Sequence, residues 1–517
     1  MTDSELEPDF PLFWKGRRLA SDHPQEAAFG KLDTASLLPQ TLFVIPSPLA
    51  GWGVFRLLEK LPPESAVLLF EADPELRKIS RRFWTWKDSR LEELRSLEPA
   101  DWETFVRNFA WGRIRRVVLL PLNGGWLLAP SVYRDLESRL VALVAQTWSN
   151  RMTCVQMGAL WMRHLLVNLK APRWAWPDWG FDPVLVCGAG PSLERVLRQD
   201  PASLQSRFRL LAADTAVGPL SQAGFRPDAI VILEAQHQNL ADLAGFSGSK
   251  IPIFADLTTD PCATRITQGP VAWFSAQFAQ LSIFERLRTK RLFEDVLTFP
   301  GLGSVGVAAA EIAWVLTRGP VVFSGLDFSF PSGQTHVRGA PGFVAFWSNA
   351  TRLWGSDPPG SGRREGVHLS ENSVWLTTGV LEGYARFLAE SALKARERTF
   401  FWGPSPSRLG VQELSDDGWT SLKPQKTNSV WKKSSDSSEL FKSWRQEELG
   451  RVEDFLRALE SQDPLGFYGE QAFKELAEKL DHLSFSFPDP HYRPTTDWLS
   501  RLKAAAVWWR HKLIVVA

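Results

Sequence analysis

The chain has 517 residues, and 59 Lys and Arg against 58 Asp and Glu give it a formal net charge of +1. This balance argues against a nucleic-acid-binding protein, because such proteins carry a clear basic excess. Hydrophobic residues make up 44% of the chain and charged residues 23%, which are globular values that exclude extensive disorder. At roughly 100–200 residues per domain, the length predicts several domains.

Cysteine spacing and the apolar segments indicate the compartment. Cys154, Cys187 and Cys262 are widely spaced and form no C-x-x-C pair, which predicts a reducing compartment and no thiolate zinc site. The acidic N-terminus lacks the apolar core of a signal peptide. No uncharged run is apolar over the ~20 residues that a bilayer span needs. We therefore expect a cytoplasmic protein without a membrane span.

The first region, residues 1–171, has a nucleotide-fold layout. Its apolar runs predict strands at Leu42–Ile45, Ala66–Phe70 and Arg116–Leu120. An acidic residue, Glu71, follows the second run, but the turn after the first carries prolines where a phosphate-binding turn needs glycines. We predict a scaffold domain without a cofactor, followed by a pair of connecting helices between Tyr133 and Lys170.

The second region, residues 172–342, alternates apolar runs with helical patterns. The runs of strand length are Val184–Cys187, Leu210–Ala213, Ala229–Leu233, Ile251–Phe254, Val271–Phe274 and Val321–Ser324. Continuous apolar strands separated by helices predict a mainly parallel, Rossmann-like sheet that is buried on both faces. The third region, residues 343–517, is predicted to be mainly helical, with a flexible Ser/Lys-rich linker at 423–438.

Three loops of the second region carry chemistry. The first, Gly188-Ala-Gly-Pro-Ser192, follows a strand and opens a helix, where Ser192 would cap the helix. Glycines let the backbone approach a phosphate, and a helix N-terminus supplies free N–H groups. This loop therefore predicts an anion site, although a plain tight turn is the alternative.

The second loop places Asp214 and Glu234 just after two predicted strands. Ligands of open parallel sheets bind at those carboxyl ends, and a carboxylate there can accept hydrogen bonds from ribose or base groups, or bind a divalent ion. The alternatives are a helix N-cap for Asp214 and a solvated strand end for Glu234.

The third loop, Pro300–Gly306, reads G-x-G-x-x-G, and Asp327 follows the next strand. We do not favour an NAD site, because Pro300 interrupts the expected entry strand and a lone match is a weak signal. A second anion-binding helix N-terminus, with Ser304 as a hydroxyl donor, fits better. Beyond it, His336 is a candidate general base and Arg338 a candidate partner for a phosphate or carboxylate.

Other catalytic signatures are missing. The sequence has no P-loop, no H-E-x-x-H, no G-x-S-x-G and no D-x-D metal motif after a strand.

Six motifs in order carry a family resemblance. They are GAGPSL (188–193), AADTAVGPL (212–220), GFRPDAIVILE (224–234), PGLGSVG (300–306), SGLDF (324–328) and QTHVRG (334–339). This set resembles the MAF family, motility accessory factors that glycosylate flagellin. The core is also similar to bacterial sialyltransferases and to the archaeal, MptE-like pterin diphosphokinases.

The resemblance implies transfer of a nonulosonic sugar, of the pseudaminic or legionaminic type, from a CMP-activated donor to Ser or Thr of flagellin. It implies no required cofactor, and it indicates no metal although a divalent ion stays possible, because the CMP leaving group carries one phosphate and needs a metal less than a diphosphate does. His336 and Asp214 are then the candidate catalytic residues. The implied donor site comprises Gly188, Gly190, Pro191, Ser192, Glu234, Gly303, Ser304, Asp327 and Arg338.

This sequence departs from the sialyltransferase pattern in the last two motifs. Ser329 stands where those enzymes have an aromatic hydroxyl, and Ala340 follows Gly339 where a histidine is expected. His336 is therefore a candidate by proximity alone. Two alternatives from other classes stay open, namely a pterin-type diphosphokinase and a non-catalytic flagellin-binding accessory protein.

Overall fold

The computed structural model describes residues 10, 12–277, 281–348, 351, 364–370, 373–405, 407, 409–422, 430–460, 470–489 and 495–515. The chain divides into two compact units. The first comprises Met1–Gln156 with Phe487–Asp489, and the second comprises Met157–Ser486 with Pro490–Ala517. The sequence-based boundaries at 171 and 342 stay predictions of a finer division.

The first unit is a small α/β domain. Its strands are β1 (Phe13–Trp14), β2 (Arg17–Arg18), β3 (Thr41–Pro46), β4 (Ala66–Phe70), β5 (Leu91–Leu94) and β6 (Arg116–Leu119). Its helices are α1 (Pro24–Thr34), α2 (Val54–Glu59), α3 (Pro74–Ser80) and α4 (Pro99–Asn108), with 3-10 turns at Trp111–Arg113 and Gly125–Leu128. Strands β3 to β6 form a parallel sheet in the order β5-β4-β3-β6.

Helix α5 (Pro130–Leu169) is one continuous helix, so the predicted helix pair is wrong. Between Tyr133 and Lys170 the sequence has no proline and a single glycine, Gly158. An isolated glycine weakens a helix by about 1 kcal/mol but does not end it. Here it also allows a close approach, because a Cβ at Gly158 would lie 3.0 Å from the Phe485 ring.

The second unit contains the large sheet. Its strands are β7 (Val184–Cys187), β8 (Arg209–Ala213), β9 (Ala229–Ile232), β10 (Ile253–Asp256), β11 (Val271–Gln277), β12 (Leu297–Pro300), β13 (Val321–Ser324), β14 (Phe330–Pro331), β15 (Arg364–Ser370), β16 (Ser373–Thr377), β17 (Thr399–Trp402) and β18 (Gln412–Leu414). Within the described residues, nine of these form one parallel sheet in the order β12-β11-β10-β9-β8-β7-β13-β17-β18. Strands β14, β16 and β15 form a separate antiparallel sheet.

The helices of the second unit flank and follow this sheet. They are α6 (Glu194–Leu197), α7 (Pro201–Arg207), α8 (Asp214–Gln222), α9 (Ala263–Ile266), α10 (Ser282–Thr289), α11 (Val305–Leu316), α12 (Pro341–Ser348), α13 (Gly379–Ala392), α14 (Ser438–Glu460), α15 (Glu470–Lys479) and α16 (Thr496–Val515). Shorter 3-10 segments lie at Pro191–Leu193, His237–Phe246, Leu393–Arg398, Gly418–Ser421 and Asp481–Leu483.

The predicted fold class is confirmed. The central strands are buried along their length because their apolar side chains pack under α11 on one face, with Val186 and Val231 in the same core cluster as Val307 and Ala310. Strands that are buried along their length are typical of a parallel sheet that is covered on both faces. Two strands of the sheet, β17 and β18, come from the third region, which the sequence predicts to be mainly helical.

The segment predicted as a flexible linker is held by the sheet domain over its described part. Residues 423–429 lie outside the described residues. Beyond them, the backbone N–H of Ala175 donates to Lys432 at 2.9 Å, and the N–H of Ser434 donates to Arg173 at 3.0 Å. Trp431 packs against Phe254 with ring centroids 5.2 Å apart, which anchors this stretch to the core.

Each helix of the described residues is too short or too polar to cross a membrane.

Candidate functional site

The order of the large sheet fixes where a ligand can bind. From β7 the chain runs outward through β8 to β12, then returns to β13 on the other side of β7. Strands β7 and β13 are parallel neighbours, so the loops after them leave the same edge of the sheet. The strand order then sends the chain to opposite sides, because β8 lies beyond β7 and β17 lies beyond β13. Ligands of open α/β sheets bind in the crevice at such a switch point. The loops that meet here are Gly188–Ser192 and Gly325–Phe328.

The two loops are joined through their backbones. The N–H of Gly188 donates to Ser324 at 2.8 Å, and the N–H of Gly190 donates to Gly325 at 2.8 Å. The contact requires glycine, since a Cβ at Gly188 would lie 2.3 Å from the Gly325 carbonyl oxygen. The Ser192 hydroxyl accepts from the Gly325 N–H at 2.8 Å, so it ties the loops together and does not cap the following helix as predicted.

Asp327 is the buried acid of this crevice. Its Oδ2 accepts the Ser192 N–H at 2.8 Å, whereas its Oδ1 is buried without a hydrogen-bond partner. Its side chain is 1% exposed, and burial raises its pKa to about 6. Buried polar atoms are nearly always paired, so this unused acceptor makes Asp327 a candidate ligand contact.

The backbone around Asp327 is strained. Phe328, a bulky residue, has a φ of 47°. Such a conformation costs about 1–3 kcal/mol and persists where the surroundings enforce it. Here the Asp327 carbonyl accepts from the Ser329 hydroxyl at 3.0 Å and also from the Ser407 hydroxyl. The loop is therefore held in one shape before any ligand binds.

His336 lies on a loop attached to the same turn. The N–H of Val337 donates to the Ala189 carbonyl at 2.8 Å, which sets the loop beside Gly188–Ser192. The half-buried His336 ring has its Nδ1 3.1 Å from the Thr335 hydroxyl, and burial lowers its pKa below the usual 6.5. The imidazole is thus neutral at pH 7, the state that a general base needs.

Arg338 points to the protein surface. Its side chain is 73% exposed, and its Nε lies 3.5 Å from Glu194 Oε1. A second cation near the crevice, Arg195, was not identified from the sequence. Its charge opposes, in small part, the rise that burial causes in the pKa of Asp327, and its guanidinium pairs with Asp416 at 2.8 Å. The Arg195 guanidinium packs against Gly403, which follows β17, a strand that the sequence does not predict. The sequence therefore gives no signal that Arg195 lies near the crevice.

Three carboxylates gather after the neighbouring strands β8 and β9. Burial, followed by the charges of Asp242 and Glu234, raises the pKa of Asp214 to about 7. Burial and Asp242 likewise raise the pKa of Glu234. Asp214 Oδ1 accepts from the N–H of Thr215 at 2.8 Å, so this oxygen is engaged in the first turn of α8. Asp242 was missed because it lies on a 3-10 segment within a polar stretch, away from any strand end.

The third glycine loop connects to these carboxylates. Strand β12 runs to Pro300, so the expectation that this proline interrupts the entry strand is wrong. Because β12 is the last strand of the sheet, a residue without an N–H is tolerated there. Gly303 has a φ of 66°, and a Cβ there would lie 2.5 Å from the Tyr384 ring. Burial and then the charge of Glu234 raise the pKa of Tyr384, so the ring that contacts Gly303 also lies near Glu234.

Ser304 precedes the first turn of α11, and its hydroxyl makes no capping hydrogen bond to that helix. The predicted residues therefore form two groups. One contains Gly188, Gly190, Pro191, Ser192 and Asp327, which lie on two loops joined by hydrogen bonds, and the His336 loop is attached to the first of these loops. The other contains Asp214 and Glu234, with Gly303 and Ser304 linked to it through Tyr384. Among the described residues, no hydrogen bond joins His336 to Asp214.

Comparisons with known proteins agree with this architecture. A protein-family model described as 6-hydroxymethylpterin diphosphokinase MptE-like matches residues 165–333. An uncharacterised protein of Treponema pallidum (strain Nichols) is 26% identical over 359 residues, which cover 66% of this chain and 62% of that relative. The chain thus spans less than two thirds of that relative's length.

A solved structure of the MAf glycosyltransferase from Magnetospirillum magneticum AMB-1 has the same fold. It matches with a TM-score of 0.53 and 15% sequence identity, covering 96% of this chain and 79% of that one. The resemblance to the MAF and MptE-like families that the motifs carry is therefore confirmed.

Proposed function

We propose, from a central region similar to the MptE-like family and a fold shared with a MAf glycosyltransferase, that this protein is a glycosyltransferase. Its donor would be a CMP-activated nonulosonic acid, and its acceptor a Ser or Thr hydroxyl of flagellin. The observation that carries the proposal is the unpaired Asp327 Oδ1 in the crevice between β7 and β13. A ribose hydroxyl or a cytosine amino group is a donor that would satisfy it.

The hydrogen bonds decide which loop is suited to the phosphate. The N–H groups of Gly188, Gly190 and Ser192 are all used within the protein. They are therefore poor ligands for an anion, and the glycines serve close approach instead. The start of α11 is the better phosphate site, because a helix N-terminus has unpaired N–H groups and the Ser304 hydroxyl is not engaged as a cap.

The catalytic step needs one proton acceptor. Neutral His336 would take the proton from the acceptor hydroxyl as its oxygen bonds to the anomeric carbon of the sugar. The bond from that carbon to the phosphate oxygen breaks, and CMP leaves with the electron pair. Arg338, on the same loop, would supply positive charge for the donor's phosphate or carboxylate. Asp214 and Glu234 would accept hydrogen bonds from the nucleoside.

The test is co-expression with flagellin and a CMP-nonulosonate pathway, followed by intact-mass analysis of flagellin. We expect one or more mass increments equal to the sugar residue. His336→Ala should reduce the modification rate about 10²–10⁴-fold, the range for loss of a general base. His511→Ala is the matched control, because His511 is exposed on α16. An unchanged flagellin mass with the wild-type protein would contradict the proposal.

One observation favours a second candidate, a pterin-type diphosphokinase. Besides burial, the charge of Asp242 raises the pKa values of both Asp214 and Glu234, and Glu234 also raises that of Asp214, so the three carboxylates lie near one another; oxygen ligands of this kind can hold Mg²⁺ for diphosphate transfer. Calorimetric titration separates the two functions. Binding of CMP without a metal supports the glycosyltransferase, whereas binding of ATP only with Mg²⁺, and no binding of CMP, supports the kinase.

A further inference from the structure

A cluster of different side chains lies outside the crevice, at the carboxyl ends of β9 and β10. His237, Asp260 and Cys262 each offer one ligand atom, and these atoms all lie within 4.8 Å of one another. The imidazole Nδ1 of His237 is 3.0 Å from Asp260 Oδ2. His237 and Cys262 are exposed, whereas Asp260 is 6% exposed. The cluster is therefore open on one side and rests on a buried carboxylate.

The surrounding backbone holds Asp260 and Cys262 in place. The Asp260 N–H donates to the Glu234 carbonyl at 3.1 Å, which joins the two loops. The Cys262 N–H donates to Asp260 Oδ1 at 2.8 Å, so this oxygen orients the carboxylate while Oδ2 faces the imidazole. Hydrogen bonds of this kind to a ligating carboxylate are a common second layer of metal sites.

We propose that His237, Asp260 and Cys262 form a binding site for a divalent transition metal ion, with Zn²⁺ as the expected occupant. The ligand types carry this assignment. An imidazole nitrogen, a carboxylate oxygen and a thiolate sulfur suit Zn²⁺, whereas Mg²⁺ and Ca²⁺ prefer oxygen ligands alone. Three protein ligands leave the fourth tetrahedral position open to water or to a ligand. The proposal does not depend on the proposed transferase activity.

The site departs from the expectation of no metal and no thiolate zinc site. The absence of C-x-x-C predicts no thiolate zinc site, and the CMP leaving group implies no metal for the transfer. Neither argument covers a single thiolate whose partners come from two loops. Metal binding would also have a structural consequence. His237 begins the 3-10 segment His237–Phe246, which carries Asp242. An ion bound to His237 and Asp260 would fasten that segment to the loop after β10.

The test uses Co²⁺ as a spectroscopic probe for the full chain after removal of metal with a chelator. Co²⁺ bound by a thiolate gives a sulfur-to-metal charge-transfer band in the near ultraviolet. We expect the band to saturate at one equivalent and to disappear when Zn²⁺ is added. Cys262→Ser should abolish the band. His237→Ala should weaken Zn²⁺ binding at least about tenfold, because even the loss of a residue that only hydrogen-bonds to a metal ligand commonly costs that much.

Cys154→Ser is the matched control, because Cys154 is a free cysteine on α5 and lies outside the cluster. It should leave both the band and the Zn²⁺ affinity unchanged. Thermal unfolding of the metal-free proteins shows whether the variants fold like the wild type. The proposal is overturned if the wild type shows no saturable thiolate band, or if Cys262→Ser and His237→Ala bind Zn²⁺ as the wild type does.

Discussion

The two units of this protein contain the same kind of sheet edge, used in opposite ways. In the first unit the chain passes outward from β3 to β5 and returns at β6, so its switch point lies between β3 and β6. In the second unit the switch point lies between β7 and β13. Each edge carries a buried acid, Glu71 in the first and Asp327 in the second. Topology alone would therefore make both edges candidate ligand sites.

The first edge is already satisfied by the protein. Glu71 accepts from the Ser47 hydroxyl at 2.6 Å, from the Asp73 N–H at 3.0 Å and from the Tyr133 hydroxyl at 3.2 Å. The loop after β6 closes the crevice, because Asn123 donates to the Ser47 carbonyl at 2.8 Å. These bonds engage both carboxylate oxygens of Glu71, so the acid needs no hydrogen-bond donor from a ligand.

Side chains also fill the turn that follows β3. A Cβ at Gly51 would lie 1.8 Å from the Trp86 ring, and the Trp84 indole donates to the Leu49 carbonyl at 2.8 Å. By contrast, Asp327 in the second unit retains an unpaired oxygen. Whether the polar groups at a switch point are already hydrogen-bonded therefore separates a candidate ligand site from a scaffold better than the topology does.

The largest expected effect contrasts two glycines of positive φ. Gly325→Ala places a Cβ 2.1 Å from the Gly188 carbonyl oxygen, where only backbone could move. Gly51→Ala meets the half-buried Trp86 side chain, which can rotate away. We expect Gly325→Ala to lower the free energy of unfolding by about 3–5 kcal/mol and Gly51→Ala by about 1–3 kcal/mol. Denaturant unfolding measures both values.

The control for this pair is Gly383→Ala, in the interior of α13, where a Cβ would meet no atom within 4 Å. It should raise the free energy of unfolding by about 0.5–1 kcal/mol, as alanine does in a helix. If Gly325→Ala and Gly51→Ala lowered the free energy of unfolding equally, the two turns would be equally rigid and the predicted difference between them would be wrong.

The next effect concerns pH and the acids of the two sheets. The pKa of Asp214 is raised to about 7 in the folded protein, whereas an unfolded aspartate titrates near 3.8. A raised pKa contributes stability that is fully present below pH 3.8 and is lost as the pH rises through 7. Asp214→Asn should therefore raise the free energy of unfolding at pH 8 relative to wild type, by on the order of a few kcal/mol.

Glu71→Gln is the matched comparison for this prediction. Burial also raises the pKa of Glu71, but its three hydrogen bonds act in the opposite direction and stabilise the carboxylate. Its replacement should change the pH dependence of unfolding less than Asp214→Asn does. Chemical unfolding between pH 5 and 8 would test this, and an Asp214→Asn variant with the wild-type pH profile would show that Asp214 is not held at a raised pKa.

The sequence predicts the parts of this molecule whose chemistry is local. The apolar run Val184–Cys187 and the glycines after it predict both a buried strand and a tight turn, because strand burial and turn geometry depend on adjacent residues. The unpaired oxygen of Asp327 could not be predicted, since it depends on where Ser192 lies after folding. The same holds for Asp242 and Tyr384, which reach Asp214 and Glu234 only through tertiary packing.

The smallest effect tests the comparison most directly, by exchanging one acid in each sheet for its amide. Asp327→Asn keeps an oxygen for the Ser192 N–H but places an NH₂ donor where the unpaired Oδ1 acceptor stands. A ligand donor would then face another donor, so we expect the affinity for CMP to fall about tenfold or more, or about 1.4 kcal/mol per factor of ten. Glu71→Gln should leave CMP binding unchanged, because every hydrogen bond that the Glu71 oxygens make among the described residues lies within the first unit. Calorimetric titration of CMP into each variant gives both affinities. Loss of binding in Glu71→Gln with retention in Asp327→Asn would reverse the assignment of the two edges.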